Sequence, residues 1–234
     1  MVTREDRNRI AFVVLFASVL SAGPLLAQED GPASAQGKSV DKTGKGYTAA
    51  FVIDPATKKV YFEENADLVL PTASMAKMMT CLIAEERVSH GLLKLDKPVA
   101  ISAKASKMGG SQIYAKQGQT FPMQTLLAAA MIQSANDAAT AIAEDIAGST
   151  EAFADMMNAR AKQLGLTKTT FYDPHGLPNA KDPERVDEMS ARDLATLGIE
   201  LMKYPLMRQY AKTATFPFEN GTFTAGLTNP NHLV

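Results

Sequence analysis

The chain has 234 residues, of which 46% are hydrophobic and 21% are charged, and its formal net charge is −1. This composition is too apolar for a disordered protein, and it offers no basic field that could hold a nucleic acid, so no nucleic-acid partner is expected. The single cysteine, Cys81, excludes an intrachain disulfide and a thiolate-rich metal site, and on an apolar helix face it is interpreted as a buried small side chain.

The N-terminal segment is typical of a secretory signal. Arg4, Arg7 and Arg9 precede an apolar run at Ile10–Leu20, and small residues follow it. Because the run is shorter than the ~20 apolar residues that span a bilayer, a cleaved signal at residues 1–27 is favoured over a membrane anchor. We therefore expect export to the periplasm or to the outer face of the cytoplasmic membrane. Residues 28–46, rich in small and polar side chains, predict a flexible linker.

The folded part is predicted to begin with a β-hairpin. Its strands are Tyr47–Ile53 and Lys59–Phe62, and Asp54-Pro55 forms the turn. Apolar residues spaced by three and four then predict a helix from Ser74 to His90. Further along, the sequence predicts a strand at Pro98–Ser102 and helices at Met123–Ile132, Asp137–Ala147, Thr150–Leu164, Ala191–Tyr204 and Pro205–Ala211.

A second hairpin is predicted near the end of the chain. Asn220-Gly221 lies between the β-forming runs Thr213–Phe218 and Thr222–Thr224, and Asn-Gly is a strong turn signal. Strands therefore open and close the folded part. The predicted fold is mixed α/β (α+β), with an antiparallel sheet built from the N- and C-terminal segments and a helical lobe inserted between them.

The segment Ser74-Met75-Ala76-Lys77 places a hydroxyl and an amine three residues apart, on one face of the predicted helix. An amine at this distance can act as a base for the hydroxyl when burial lowers its pKa, and the apolar neighbours permit that. Taken alone, the same pattern also fits a serine that caps a helix and a lysine that is solvated.

A second polar motif, Ser134-Ala135-Asn136, lies between two apolar helices. Small polar residues at such a junction form a turn that projects into a cleft, where a hydroxyl can relay a proton and an amide can hold a substrate carbonyl. Capping of the following helix is a second role that the same residues can fill.

Together, the two motifs resemble those of penicillin-binding proteins and class A β-lactamases. The stretches Pro71–Thr80, Ser134–Ala138 and Asp173–Leu177 are similar to segments of the low-molecular-mass penicillin-binding proteins, which are serine-type D-alanyl-D-alanine carboxypeptidases (peptidase S11-like). The resemblance covers residues 47–234, and three such stretches in the same order are a specific signal.

The resemblance implies a serine β-lactamase/transpeptidase-like fold and a serine D-Ala-D-Ala carboxypeptidase. Such an enzyme removes the terminal D-Ala from a peptidoglycan pentapeptide and is also acylated by β-lactams such as penicillins. Ser74 would be the nucleophile, Lys77 the general base and Ser134 a proton relay, while Asn136 would bind the substrate backbone. Neither a metal nor another cofactor is expected.

The sequence departs from the family at the third motif, Lys-Thr-Gly, which does not follow the second motif. Lys42-Thr43-Gly44 precedes the nucleophile and lies in the predicted linker, so it is interpreted as a coincidence. Residues 47–234 are therefore expected to form an incomplete, C-terminally truncated transpeptidase-like domain with low activity by itself. Membrane association is expected only through the missing C-terminal part.

Two alternatives remain open at this point. A non-catalytic scaffold that keeps the penicillin-binding fold without turnover fits the missing motif. A class A β-lactamase needs a glutamate between its second and third motifs to activate water. No glutamate occurs from Ala152 to Pro183, and Ala135 replaces the aspartate usual in the β-lactamase triplet, so this reading is disfavoured.

Overall fold

Three antiparallel strands form the first sheet. In this computed structural model, which describes residues 12–16, 47–178, 182, 184–219 and 224–230, β1 (Phe12–Phe16) pairs with β2 (Ala49–Ile53), and β2 pairs with β3 (Val60–Glu64). The predicted hairpin is confirmed. Asp54 shapes its turn, because its Oδ1 accepts the N–H groups of Ala56 and Thr57 at 2.8 and 3.0 Å.

The strand β1 lies inside the predicted secretory signal. Residues 1–11 and 17–46, which hold the rest of that signal and the predicted linker, lie outside the described residues. The signal, the linker and the domain boundaries therefore stay predictions. Among the described residues, no helix is both long and apolar enough to cross a membrane.

In the part of the chain that the structure describes, a lobe of six α-helices follows the first sheet. The first helix, α1, packs against four of the others, and its buried Met79 and Leu82 belong to one continuous apolar core. Phe153 and Met157 are fully buried in the same core. The helices are α1 (Lys77–Ser89), α2 (Met123–Ile132), α3 (Asn136–Ala147), α4 (Thr150–Gln163), α5 (Ala191–Leu201) and α6 (Pro205–Ala211).

The start of α1 differs from the prediction. Ser74 lies in a separate 3₁₀ turn, Ala73–Ala76, and the α-helix begins only at Lys77. The turn is entered through Ala73, whose φ of +47° is uncommon for a residue with a side chain, and no described side chain caps the helix. Ser74 is therefore presented on a tight turn, exposed at the surface, directly before α1.

Two pairs of short strands connect distant parts of the chain. The strand β4 (Leu70–Pro71), just before the 3₁₀ turn, pairs with β7 (Glu188–Met189), just before α5. The strand β5 (Pro98–Ala100) pairs with β6 (Thr120–Pro122), just before α2. The first pair fixes the segment around residue 187 beside the turn that carries Ser74.

The last hairpin does not join the first sheet, and in this respect the predicted arrangement is wrong. Within the described residues, β8 (Thr215–Glu219) and β9 (Thr224–Thr228) pair only with each other. The physical reason is that the hairpin packs elsewhere: both of its strands contact α2, and the buried Phe218 of β8 stacks on Phe121 of β6 with ring centroids 5.7 Å apart. The predicted Asn220-Gly221 turn lies outside the described residues.

Candidate active site

Ser74 and Lys77 form a hydrogen-bonded pair at the start of α1. Lys77 Nζ lies 3.1 Å from Ser74 Oγ and donates to the carbonyl oxygen of His175 at 2.8 Å. The 3₁₀ turn followed by the first residue of α1 brings the two side chains to the same side. Ser74 is exposed whereas Lys77 is only 3% exposed, so the hydroxyl is accessible and the amine is shielded.

Burial lowers the pKa of Lys77 to about 8. The nearby carboxylates of Asp173 and Asp187 oppose this shift, because negative charge near an ammonium favours its protonated form. A lysine with this pKa is partly neutral near pH 7, as a base for the Ser74 hydroxyl must be.

The loop at residues 172–177 holds Lys77 through the carbonyl of His175, which accepts from Lys77 Nζ at 2.8 Å. Thr80, one turn after Lys77 on α1, donates its hydroxyl to the carbonyl of Pro174 at 2.7 Å. Asp173 Oδ1 accepts the N–H groups of His175 and Gly176 at 2.8 and 2.6 Å, which fixes the turn that presents the His175 carbonyl. The backbone of this loop therefore lines the site together with the turn that carries Ser74.

Asp173 stays ionised in this loop despite its burial. Burial raises the pKa of its carboxyl, but the imidazole of His175, whose Nδ1 is 2.7 Å away, and the two backbone N–H groups outweigh burial and leave the pKa below its usual value. The charge of Asp173 thus persists next to Lys77.

The 172–177 loop approaches the nucleophile turn at van der Waals distance through Gly176. Its φ is +81°, and a Cβ added there would lie 1.8 Å from the carbonyl oxygen of Ala73. Only glycine fits both the conformation and the space. This contact sets the spacing between the residue before Ser74 and the residue after His175.

The second motif forms the junction between α2 and α3. Ser134 is half-buried with a φ of +60°, and Asn136, which is 2% exposed, is the first residue of α3. Asn136 Nδ2 donates to the carbonyl of Gly109 at 2.7 Å, and its Oδ1 is buried with no hydrogen-bond partner within the described residues. The side chain of Asn136 thus holds a neighbouring loop and leaves one acceptor unused.

The contacts found in the described part of the chain do not link Ser134 or Asn136 to the Ser74–Lys77 pair. Both motifs nevertheless stand on helices that pack together, since α1 contacts α2 and α3. The roles of Ser134 and Asn136 therefore stay predictions, as do the roles of Ser74 and Lys77. Lys42-Thr43-Gly44 lies outside the described residues.

Comparison with known proteins identifies the family. The model of peptidase S11, D-alanyl-D-alanine carboxypeptidase, matches residues 38–234. The chain belongs to this family. It is 36% identical to the D-alanyl-D-alanine carboxypeptidase DacF of Bacillus subtilis over 86% of its own length and 51% of that protein. It is 34% identical to a D-alanyl-D-alanine endopeptidase of Pseudomonas aeruginosa over 97% of its own length and 70% of that protein.

Solved structures of family members have the same fold. The D-alanyl-D-alanine carboxypeptidase DacD of Francisella tularensis superposes with a TM-score of 0.71 at 28% identity, covering 86% of this chain and 46% of that one. Penicillin-binding protein D2 of Listeria monocytogenes, in its ampicillin-bound form, gives 0.69 at 28% identity, covering 79% and 72%. The predicted transpeptidase-like fold class is confirmed. The chain spans about half the length of DacF and of DacD.

The sequence did not reveal three groups that support this peptidase S11 site: Thr80 and Asp187 are buried, and Asp173 is half-buried. Thr80 and Asp173 support the 172–177 loop, and Asp187 accepts two of its N–H groups. Asp173 stood in a stretch that resembles the family, but nothing there indicated its contacts. Asp187 stands in a polar stretch between residues 182 and 188, where an aspartate looks solvated, so only the fold reveals that it is buried.

Proposed function

We propose that the chain carries the nucleophile and the general base of a serine D-alanyl-D-alanine carboxypeptidase that acts on peptidoglycan stem peptides. The supporting observation is the contact of 3.1 Å between Ser74 Oγ and the buried amine of Lys77, whose pKa burial lowers to about 8. Membership of the peptidase S11 family supports the substrate, a peptide that ends in D-Ala-D-Ala.

In the acylation step, neutral Lys77 takes the hydroxyl proton while Ser74 Oγ attacks the carbonyl carbon of the penultimate D-Ala. The backbone N–H of Ser74 is one donor to the oxyanion that forms. The peptide C–N bond then breaks, and the departing amine of the terminal D-Ala receives the proton from Lys77 through Ser134. Asn136 binds the substrate backbone during this step.

In the deacylation step, water attacks the ester carbonyl of the acyl-enzyme. Its proton returns to Ser74 Oγ by way of Lys77, and the shortened peptide leaves as a carboxylic acid. A β-lactam acylates Ser74 in the same way, but its leaving nitrogen remains attached through the opened ring. The ampicillin-bound form of the Listeria monocytogenes relative supports this part of the proposal.

An endopeptidase is the second candidate, because the Pseudomonas aeruginosa relative carries that name and is matched over 70% of its length. The acyl-enzyme on Ser74 is chemically the same whether the departing amine belongs to free D-Ala or to a larger peptide. The two activities therefore differ in the space available to the leaving group.

Two synthetic substrates test the proposal. A pentapeptide ending in D-Ala-D-Ala and a cross-linked peptide dimer are incubated with the chain, and products are separated by liquid chromatography and mass spectrometry. We expect release of D-Ala by the wild type and none by Ser74→Ala. Cleavage of the dimer without release of D-Ala from the pentapeptide would show that the activity is that of an endopeptidase and not of a carboxypeptidase. Release of D-Ala by Ser74→Ala would refute the assigned nucleophile.

We further propose that the protein acts outside the cytoplasmic membrane. The basic and then apolar pattern of residues 4–20 supports export, and the proposed substrate is a cell-wall peptide. Sequencing the N-terminus of the protein recovered from cells tests this proposal. A mature terminus near residue 28 is expected, whereas an intact Met1 in a cytoplasmic fraction would contradict export.

A further inference from the structure

Asp187 is a buried residue that binds two segments of the site, the 172–177 loop and the segment directly before the turn that carries Ser74. Its Oδ1 accepts the N–H groups of Tyr172 and Asp173 at 2.6 and 3.2 Å, so it holds the start of the 172–177 loop. Its main-chain carbonyl accepts the N–H of Thr72 at 2.8 Å, directly before the turn that carries Ser74. With 3% exposure, Asp187 lies inside the protein behind these two segments.

The other carboxylate oxygen, Oδ2, is buried and has no hydrogen-bond partner among the described residues. A carboxylate placed only to accept two N–H groups does not need this unsolvated second oxygen, since an amide would accept them equally well. The extra charge therefore calls for an explanation. The cation that this charge acts on is Lys77, because the charge of Asp187 favours the ammonium form of Lys77.

The groups that act on this pair come from three parts of the fold. Lys77 faces Cys81 on its own helix and Asp173 on the 172–177 loop, besides Asp187 before β7. Asp187 faces Asp173, whose charge raises the pKa of Asp187 after burial has already raised it, to about 7. The Lys77 ammonium acts in the opposite direction and favours the ionised form of Asp187.

We propose that Asp187 is a positioning residue for the Ser74–Lys77 pair, which it serves by holding the 172–177 loop and by keeping a negative charge near the Lys77 amine. The inference rests on the proposed function, in which Lys77 must accept a proton from Ser74 and later give it up. The loop contact fixes where the amine lies, and the charge sets how readily the amine holds the proton.

Two substitutions separate the two contributions. Asp187→Asn keeps the shape and one acceptor oxygen but removes the charge, whereas Asp187→Ala removes both. Asp193→Asn is a matched control. Asp193 is also a buried carboxylate, 6% exposed, that accepts the Lys168 N–H at 2.7 Å and the Thr169 hydroxyl at 2.8 Å, but it is not among the groups that act on Lys77.

The first readout is the titration of Lys77. It is monitored by NMR of the full chain labelled with ¹³C at lysine Cε, and the Lys77 signal is assigned by its absence in Lys77→Arg. We expect the midpoint in Asp187→Asn to lie about half a pH unit or more below that of the wild type and of Asp193→Asn, because a neighbouring negative charge has been removed. Equal midpoints in all three proteins would overturn the electrostatic part. This readout does not require turnover.

The second readout is the rate of Ser74 acylation by benzylpenicillin at pH 9, where Lys77 is mostly neutral. We expect Asp187→Ala to lose about tenfold or more and Asp187→Asn to stay within about threefold of the wild type, because only the alanine variant loses the loop contact. A wild-type rate in Asp187→Ala would overturn the positioning role. If the wild type itself is not acylated, the proposed function fails, while the Lys77 titration still tests this inference.

Discussion

Replacing Gly176 with alanine tests whether the contact between the 172–177 loop and the nucleophile turn sets the geometry of the catalytic pair. The new Cβ would lie 1.8 Å from the carbonyl oxygen and 2.4 Å from the carbonyl carbon of Ala73. Non-bonded heavy atoms pack about 3.5 Å apart, so the two backbones must separate by more than about 1 Å. Because both are backbone atoms, no side-chain rotation can relieve the collision.

The separation acts directly on Lys77, which bridges the two segments through Ser74 Oγ at 3.1 Å and the His175 carbonyl at 2.8 Å. An error of about 1 Å in the position of reacting groups costs about 100-fold in rate. We therefore expect Gly176→Ala to slow Ser74 acylation by about 100-fold. The φ of +81° adds about 1–2 kcal/mol of destabilisation for any residue with a Cβ.

Gly118→Ala is the matched control for this experiment. Its φ is +82°, but no atom of the described residues lies within 4 Å of the added Cβ, so it carries the conformational cost without the collision. The assay is the second-order rate of acylation by benzylpenicillin, with urea unfolding as the measure of stability. Gly118→Ala should acylate at the wild-type rate. A wild-type acylation rate in Gly176→Ala would refute the reasoning.

Three further predictions concern the same network. The acylation rate should rise about tenfold per pH unit below pH 8 and level off above it, because Lys77, whose pKa is about 8, must be neutral; a stopped-flow pH profile that is flat from pH 6 to 9 would contradict this. Thr80→Val should lower the free energy of unfolding by about 1–3 kcal/mol in urea titrations, because the Pro174 carbonyl loses its donor, and an unchanged value would show that the bond is dispensable. The folded state binds a proton at Asp187 more tightly than the unfolded state does, so the free energy of unfolding should fall as the pH rises from 3.8 to about 7. In Asp187→Asn this fall should be smaller, and identical unfolding curves for the variant and the wild type at each pH would exclude the effect.

The helices were predictable because their apolar periodicity and their boundaries are local properties of the sequence. α2 and α6 have the predicted bounds, and α3, α4 and α5 differ by one to three residues at one end. The short strands β6 and β7 were not predicted. Two or three residues are too few to show alternation, and these strands exist only because tertiary contacts bring their partners alongside.

The sequence pattern also could not predict where the final hairpin packs. Alternation and the Asn-Gly turn predict that two strands pair, but not which surface the pair covers. Burial of Phe218 against Phe121 decides that point, and the two residues are far apart in the chain. The close approach of Gly176 to Ala73, in the 3₁₀ turn that carries Ser74, is likewise a long-range contact.

The catalytic roles of Ser74 and Lys77 came from the resemblance to the family and stay predictions. That their side chains meet followed from spacing, because residues three apart on a helical turn share a face. The contact between Ser74 and Lys77 confirms that expectation. The supports of the pair were hidden because they are long-range: the His175 carbonyl comes from 98 positions further along the chain, and Thr80 reaches Pro174 over 94 positions. Every residue, moreover, has a backbone carbonyl, so residue type cannot indicate which carbonyl will accept a hydrogen bond from Lys77 or Thr80.

Mass spectrometry of the intact chain after incubation with benzylpenicillin tests the central claim, that Ser74 is the reactive nucleophile of this site. Ser74→Ala removes the proposed nucleophile, and Ser89→Ala is the matched control, because Ser89 is an exposed serine whose hydroxyl donates to the Glu86 carbonyl at 2.8 Å at the far end of α1. We predict a mass increase of one intact penicillin in the wild type and in Ser89→Ala, and none in Ser74→Ala. A folded wild type without the adduct, or an adduct that persists in Ser74→Ala, would contradict the account.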